Sequence, residues 1–523
     1  MRLRRPFPLR ALFMAAAAVV LAASLLAAGP ASATAAAGQS VGEAMRSVSR
    51  PPAYVPLSHW SYPIIERLHA RGLLDIDAST RPFSRSAVAE AVEGARSAVG
   101  SSEARLSRRE EWLLSRLEAE FLNGLVDAPA FSVSEGKASF GLGVSAFTQL
   151  RYGGETFERT LWPGTAPGGI TPSRDVGVNV ERDDQWDAAS DVSYDLWGGS
   201  DGLVGFYADA LVLLGGQEGA RQVRLSSRVR TWRGVAASSE RAYFLLERPT
   251  YEVMVGRRGT AWGRSRWGRL LLSGVAPTFD QLAARFRVGP LSFEAMHAYL
   301  EYEETGTETV LSDEDRVFLA GHRAVIGWSS GTVGLSEVVV YSAAYPDPVY
   351  LNPLAPYYLL QHNERANDNV LWLLDLDVSV RPGLEAYGEL VVDDLQYDRS
   401  TGHPDKYGLT VGTAWYGDVS GLDSQLTVEY TNVRKWTYTH FITEHRLEHD
   451  GLPVGFELGP DADRLTVELV VHPALKWSTG FTYQRSRKGE GNLLTFFESG
   501  ESHEPTFPSG VVETKDRVAL ELG

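Results

Sequence analysis

"LWLLDLDVSVRPGLEAYGELVVDD", residues 371–394, fixes the reading of the chain. Trp372, Leu374, Leu376, Val378 and Val380 share one parity, and Leu371, Leu373, Asp375, Asp377 and Ser379 share the other. After Arg381-Pro382-Gly383 the alternation resumes, with Leu384, Ala386, Gly388, Leu390 and Val392 opposing Glu385, Tyr387, Glu389 and Val391. Successive side chains of a β-strand point to opposite faces, so a period of two broken by Pro-Gly reads as strand, turn, strand. Asp393 and Asp394 are not a catalytic pair on this reading. Neighbours in a strand face opposite ways and cannot flank one glycosidic bond, and a turn is expected from Asp394.

The same period recurs from about residue 135 to the end. "QLTVEYT" sets Leu426, Val428 and Tyr430 against Gln425, Thr427, Glu429 and Thr431, and "RLTVELVV" sets Leu465, Val467, Leu469 and Val471 against Thr466 and Glu468. A soluble sandwich or propeller alternates in this way with its apolar face inward. A transmembrane barrel alternates with the apolar face toward lipid and the polar face toward its lumen. The polar faces here carry carboxylates, and Trp197, Tyr207, Trp328, Tyr341, Trp415, Tyr416, Trp436 and Tyr438 lie near segment ends, where an interfacial girdle belongs. The expectation is a mainly β protein: a transmembrane antiparallel β-barrel over 135–523. At about 10 residues per strand and as many per connection it would hold roughly 18–20 strands.

The flanking sequence fits an exported protein. "MRLRRPFPLR" is basic, "ALFMAAAAVVLAASLLAA" is apolar, and "ASA" ends at Ala33, so residues 1–33 read as a signal peptide and 34–54 as an Ala/Gly/Ser-rich linker. Loss of Arg2, Arg4, Arg5 and Arg10 with the peptide moves the formal net charge from −16 to −20. That balance argues against nucleic acid as a partner, since phosphate neutralisation needs clustered cations. The absence of Cys excludes disulfides and thiolate metal sites. Residues 55–126 read differently. Trp60, Ile64, Leu68 and Leu73–Leu74 recur at helical spacing with Gly72 as a stop, Ser84 starts a second helix, and Trp112, Leu113, Leu117 and Phe121 stripe a third. This small helical domain reads as a three-helix cap, and its "HW…I…L…G…F.R…A" order also resembles an S-layer-homology repeat.

Four blocks then stand in order: "VGRRGTAWGRSRWGRLLLSGVAPTFDQLAARF" (255–286), "GLSEVVVYSAAYPDPVYLNPLAPYYLLQHNERANDNVLWLLDLD" (334–377), "GLEAYGELVVDD" (383–394), and "YTNVRKWTYTH" with "LGPDADRLTVEL" (430–440 and 458–469). Together they resemble the capsule-assembly Wzi family, in a GR…WG…G.L.LS..AP.F pattern and in Glu337, "YLNPLAPYY" and "DN". The resemblance implies an outer-membrane barrel of about 18 strands, a helical element on the periplasmic side, and a lectin-like role in holding capsular polysaccharide. The chain departs from many barrels of this class in ending on Leu522-Gly523 instead of an aromatic residue.

Residue chemistry supplies two sets of candidates. Arg257, Arg258, Arg264, Arg266 and Arg269 are rigid, always-charged forks suited to pairing with luminal Asp375, Asp377, Glu385 and Glu389, while Gly256, Gly259, Gly263 and Gly268 relieve crowding. Sugar rings stack on aromatic faces and hydrogen-bond through their hydroxyls, which makes Trp262, Arg266, Trp267, Asn352, Tyr357, Tyr358 and Asn369 candidate polysaccharide contacts, the last four in an extracellular loop. No cofactor or metal is expected. His322, His362, His440, His445 and His472 lack zinc spacing, and "LSDEDR" (311–316) is an acidic turn with little of a Ca²⁺ loop. Without a nucleophile elbow or phosphate loop, the expected function is non-catalytic binding or organisation of surface polysaccharide at the outer membrane, with lipid as the other partner. The alternatives are a pore for anionic or sugar solutes, a tether gripping peptidoglycan through 55–126, and a secreted soluble β-protein.

Overall fold

The computed structural model describes residues 53–101, 106–122, 131–135, 138–153, 185–200, 203–214, 235–301, 316–364, 366–395, 403–498, 501–502 and 505–523. The expected signal peptide, almost all of the linker and most of the 311–316 turn lie outside the described residues.

Three helices form where the apolar spacing and caps place them. α1 (Ser61–Ala70) buries Ile64, Ile65 and Leu68 and stops before Gly72, whose φ of 72° suits a residue without Cβ. α2 (Arg85–Gly100) is capped by the Ser84 hydroxyl, which accepts from the Ala87 N–H. α3 (Arg108–Phe121) opens with a reciprocal capping box between Ser107 and Glu110. Their stripes meet in one apolar core with Val55 and Phe83.

The rest is an antiparallel sheet with barrel topology. Its ladder runs between sequence neighbours, from Phe131–Glu135 and Ala138–Gly153 to Glu513–Leu522. One end is closed by two-residue turns at Gly289-Pro290, Ser329-Ser330, Pro382-Gly383, Ser420-Gly421 and Leu475-Lys476. The opposite end carries long connections such as 259–278, 344–368 and 434–461. That asymmetry is characteristic of outer-membrane barrels.

Burial follows parity in an inverted sense. On the strand Asn369–Arg381, Asp375 is 0% exposed while its neighbour Leu374 is 48% exposed. Glu385 and Glu389, Thr427 and Glu429 likewise face inward and are buried, and Leu282, Ile326, Leu335, Leu376, Val411 and Leu469 face outward and are exposed. Apolar outside and charged inside is the arrangement a lipid solvent requires. The aromatic girdle is narrower than the sequence suggested. Trp328 is exposed and Trp415 half-buried near the short-turn end, but Tyr341, Tyr416, Trp436 and Tyr438 are buried, and Tyr207 stacks on buried Tyr243. The Tyr416 and Tyr438 hydroxyls are occupied inside the barrel, by Arg266 and by the Leu270 carbonyl.

Helices and sheet belong to one compact unit, residues 49–523. The helical module grips the short-turn end. The Ala70 carbonyl accepts from Gly383 N–H (2.8 Å), Arg67 pairs with Asp423 (2.5 Å), and Arg109 donates to the Leu475 carbonyl (3.1 Å).

Candidate functional site

Segments enter the lumen from both ends. From the short-turn end, Ser79–Arg81 reaches in beyond α1. From the long-connection end, residues 259–278 fold inward as a tongue. The two meet as a small antiparallel ladder, Thr80 opposite Trp262 and Arg81 opposite Ala261.

Arginines lock this contact. Glu66 of α1 gathers Arg81 at 2.7 Å, Arg266 at 2.9 Å and Arg264 at 3.8 Å. Burial raises its pKa, but Arg266, Arg81 and Arg264 outweigh that and hold the carboxyl well below the usual range. Arg264, fully buried, also reaches Asp377 (3.1 Å) and Glu385 (2.5 Å) on two adjacent strands. Arg323, on Arg316–Trp328, forks onto Asp375 at 2.6 and 2.9 Å and donates to the Ser336, Ser79 and Thr80 hydroxyls. Farther along the wall, Arg285 joins Glu252 and Glu294, with Arg258 3.4 Å from Glu294.

Other carboxylates bind the tongue's backbone. Glu389 accepts from the N–H groups of Ser265 (2.7 Å) and Leu270 (3.0 Å), and Glu429 from those of Arg266 (2.8 Å) and Trp267 (3.0 Å). Close approach explains two glycines. A Cβ at Gly263, φ 107°, would lie 2.3 Å from a Glu389 oxygen, and one at Gly268 would lie 1.8 Å from Thr431 Oγ1.

Several expectations are corrected by this geometry. Arg258 and Arg264 lie in buried ion-pair clusters, as do Asp375, Asp377 and Glu385. Arg257 does not: it pairs with Asp280 on the outward face, because its strand parity is opposite to that of Arg258. Arg269 donates to the Gly263 carbonyl (3.3 Å) and has no ion pair within 4 Å among the described residues. Glu389 takes backbone amides in place of a guanidinium. Trp262, 0% exposed and packed over Gly321, is a wall plate that no sugar can reach. Arg266 is committed to Glu66, Glu468 and Tyr416. Trp267 remains partly exposed.

The loop candidates are corrected too. The connection 344–368 folds onto the outward face of the wall, against Phe318, Ala320, Val339 and Tyr341, through Tyr350 and Tyr357. Tyr357, 1% exposed, is covered, and Asn369 is buried at the start of its strand. Asn352 and Tyr358 are exposed. The anchor is Glu337, an outward-facing carboxylate that accepts from Tyr357 N–H (2.8 Å), Tyr358 N–H (2.9 Å) and Trp372 Nε1 (2.8 Å), with His322 Nε2 at 3.2 Å.

Arg323, Glu66, Arg285 and Glu429 carry the interior and were not singled out from sequence as network members. A signal existed for Arg323: in "RVFLAGHRAVIGW" it shares parity with Leu319, Gly321 and Val325, an isolated cation on an otherwise small or apolar face. Among the described residues no group of three or more His, Asp or Glu is arranged to hold a metal ion. His445 is instead held between the Ser342 hydroxyl (2.9 Å) and the Asn367 carbonyl (2.9 Å).

Inverted burial, tight turns at one end and long connections at the other define an outer-membrane-type β-barrel, here with two segments meeting inside it. No protein-family model and no curated protein matches the chain. Among solved structures it is similar to Wzi, an outer-membrane protein involved in group 1 capsule assembly in Escherichia coli and a carbohydrate-binding β-barrel. The match has 13% identity, covers 84% of this chain and 86% of that one, and gives a TM-score of 0.55. The likeness is one of fold. Overlap is weaker with the outer-membrane channel DcaP of Acinetobacter baumannii (11% identity, 76% and 99% covered, TM-score 0.36). It is equally weak with OmpF of Salmonella typhi (8% identity, 75% and 100% covered, TM-score 0.36).

Proposed function

We propose that this protein resides in the outer membrane and binds or organises surface polysaccharide there without catalysing a reaction. The observation that carries the proposal is the filled lumen. Glu66, Arg264 and Arg323 tie the helical module, the tongue and the wall into one buried network, which suits a rigid binding platform and leaves little for a solute path. The fold likeness to Wzi, itself described as carbohydrate-binding, supports the same reading. In this orientation the short turns and helical module face the periplasm and the long connections face outward, with the polysaccharide contacts among the latter. Trp267, partly exposed on the tongue, is the contact proposed; Asn352 and Tyr358 are exposed on the connection that folds against the outer wall and are not proposed. Tyr357, Trp262 and Asn369 are buried and Arg266 is already paired, which leaves them no surface for a glycan.

The test is a pair of measurements on the full chain in lipid. Planar-bilayer recording is expected to show no steady open current, and a glycan array is expected to retain polysaccharide. Trp267→Ala should reduce that retention without altering the unfolding midpoint. A steady conductance combined with no glycan retention would transfer the protein to the pore class.

A further inference from the structure

We propose that the connection between Ala343 and Asn369 is a membrane-seated bracket. It lies on the lipid side of the barrel wall, with Leu354, Tyr358 and Leu359 among acyl chains of the leaflet at the long-connection end.

Parity places it there. Tyr299, Phe318, Ala320, Val339 and Tyr341 have outward-facing side chains, and they form the floor on which Tyr350, Tyr357 and Leu360 rest. The bracket therefore covers the outside of the wall and not its mouth. Its position along the barrel axis follows from the ladder. Glu337 lies opposite Trp372 and His322, and the outward pair two residues nearer the short turns is Leu335 opposite Leu374, both exposed and apolar. The bracket thus continues directly from the lipid-facing belt.

The free surface of the bracket has the chemistry of that belt. Leu354 is 81% exposed, and Leu351, Tyr358 and Leu359 are exposed around it. The Tyr358 ring lies 5.1 Å from that of outward-facing Trp372, a pairing suited to the boundary between headgroups and acyl chains. Its short helix, α4 (Tyr357–Glu364), begins with Tyr358 and Leu359 exposed and ends in His362, Asn363 and Glu364, so it runs from apolar to polar surroundings. The polar groups beneath the bracket are satisfied within it. Glu337 is saturated by its donors, and the Tyr350 hydroxyl is bonded to Asp368. An outward carboxylate in the lipid belt is costly unless paired, and Glu337 has the bracket's first helical amides as its partners. The same contacts that satisfy the charge also fix the bracket to the wall.

The chain has no Cys, so a single introduced thiol carries a single label. Leu354→Cys and Leu359→Cys, each spin-labelled on the full chain in lipid vesicles, would be compared with Leu374→Cys as the lipid reference and Glu498→Cys as the water reference. Collision rates are read with oxygen, which concentrates in acyl chains, and with a water-soluble nickel chelate. The expected result is an oxygen-to-nickel ratio at 354 and 359 close to that at 374 and several-fold above that at 498. A ratio matching position 498 overturns the proposal, since the bracket would then stand in water or glycan. Dipolar broadening at 354 that disappears on dilution with unlabelled protein also overturns it, assigning the surface to a second copy. Glu337→Ala is expected to raise label mobility at 359 and leave 374 unchanged. Unchanged mobility at 359 would remove the clamp from the argument.

Discussion

Replacing Arg323 by Met removes the guanidinium fork that, among the described residues, meets Asp375. Both side chains are fully buried, and the fork makes two parallel bonds of 2.6 and 2.9 Å. The variant leaves a carboxylate without its counter-charge in a space closed by the helical module, and breaking such a pair from one side costs about 3–5 kcal/mol. Because about 1.4 kcal/mol is a tenfold change in an equilibrium, the folded-to-unfolded ratio should fall by about a hundredfold or more at a fixed denaturant concentration. Urea titration of the lipid-reconstituted barrel, followed by tryptophan emission and by loss of the heat-modifiable band, reads this directly. Asp375→Leu alone should cost a similar amount by stranding the guanidinium. The double variant Arg323→Met/Asp375→Leu should recover most of the loss, since an apolar pair of similar volume is often neutral in such a place. A single-variant cost below about 1 kcal/mol would mean that water reaches Asp375, as in an exposed pair, and the filled-lumen account would then fail.

Three further outcomes are expected. Gly268→Ala puts a methyl where Thr431 Oγ1 already stands, so the tongue must shift, with a stability loss of about 1–3 kcal/mol and intermittent current in planar bilayers. Ser107→Ala removes half of the α3 capping box and should lower the stability of the helical module by about 1 kcal/mol, measured by the protease sensitivity of residues 53–122. The third concerns His69, 3.6 Å from Asp377. Burial lowers its pKa, but the hydrogen bond and charge of Asp377 outweigh that, and the net shift is upward. A raised folded pKa contributes stability that is complete below the unfolded value and lost as pH rises through the folded one. Protease protection of the module should therefore weaken on the alkaline side of neutrality, and His69→Gln should flatten that dependence.

Much of the architecture was legible because its signals are local. Asp375 and Asp377 alternate with Leu374 and Leu376, Ser84 caps its helix, and Pro382-Gly383 turns the hairpin, all within a few residues of sequence. The site was less legible because its partners are remote. Nothing near Arg264 indicates that it will reach Glu66 of a helix and two strand carboxylates beyond residue 370. Arg257 and Arg258 look equivalent in sequence, and only strand parity sends one outward and the other into the network. The Asn and Tyr content of 350–369 suggests an extracellular loop, whereas Glu337, a single acidic residue on the lipid-facing parity, draws it back along the wall. An acidic residue out of phase in an otherwise apolar outward face is the signal that could have revealed this.

The ladder between Thr80–Arg81 and Ala261–Trp262 constrains how the molecule is made. Its two halves are contributed from opposite ends of the cylinder, and Arg264 and Arg266 grip Glu66 from the far side of that seam. Because the halves arrive from opposite ends, the seam exists only when both have folded in. Each half is thus the other's keystone, and removing either strands the charges that the remaining one was holding.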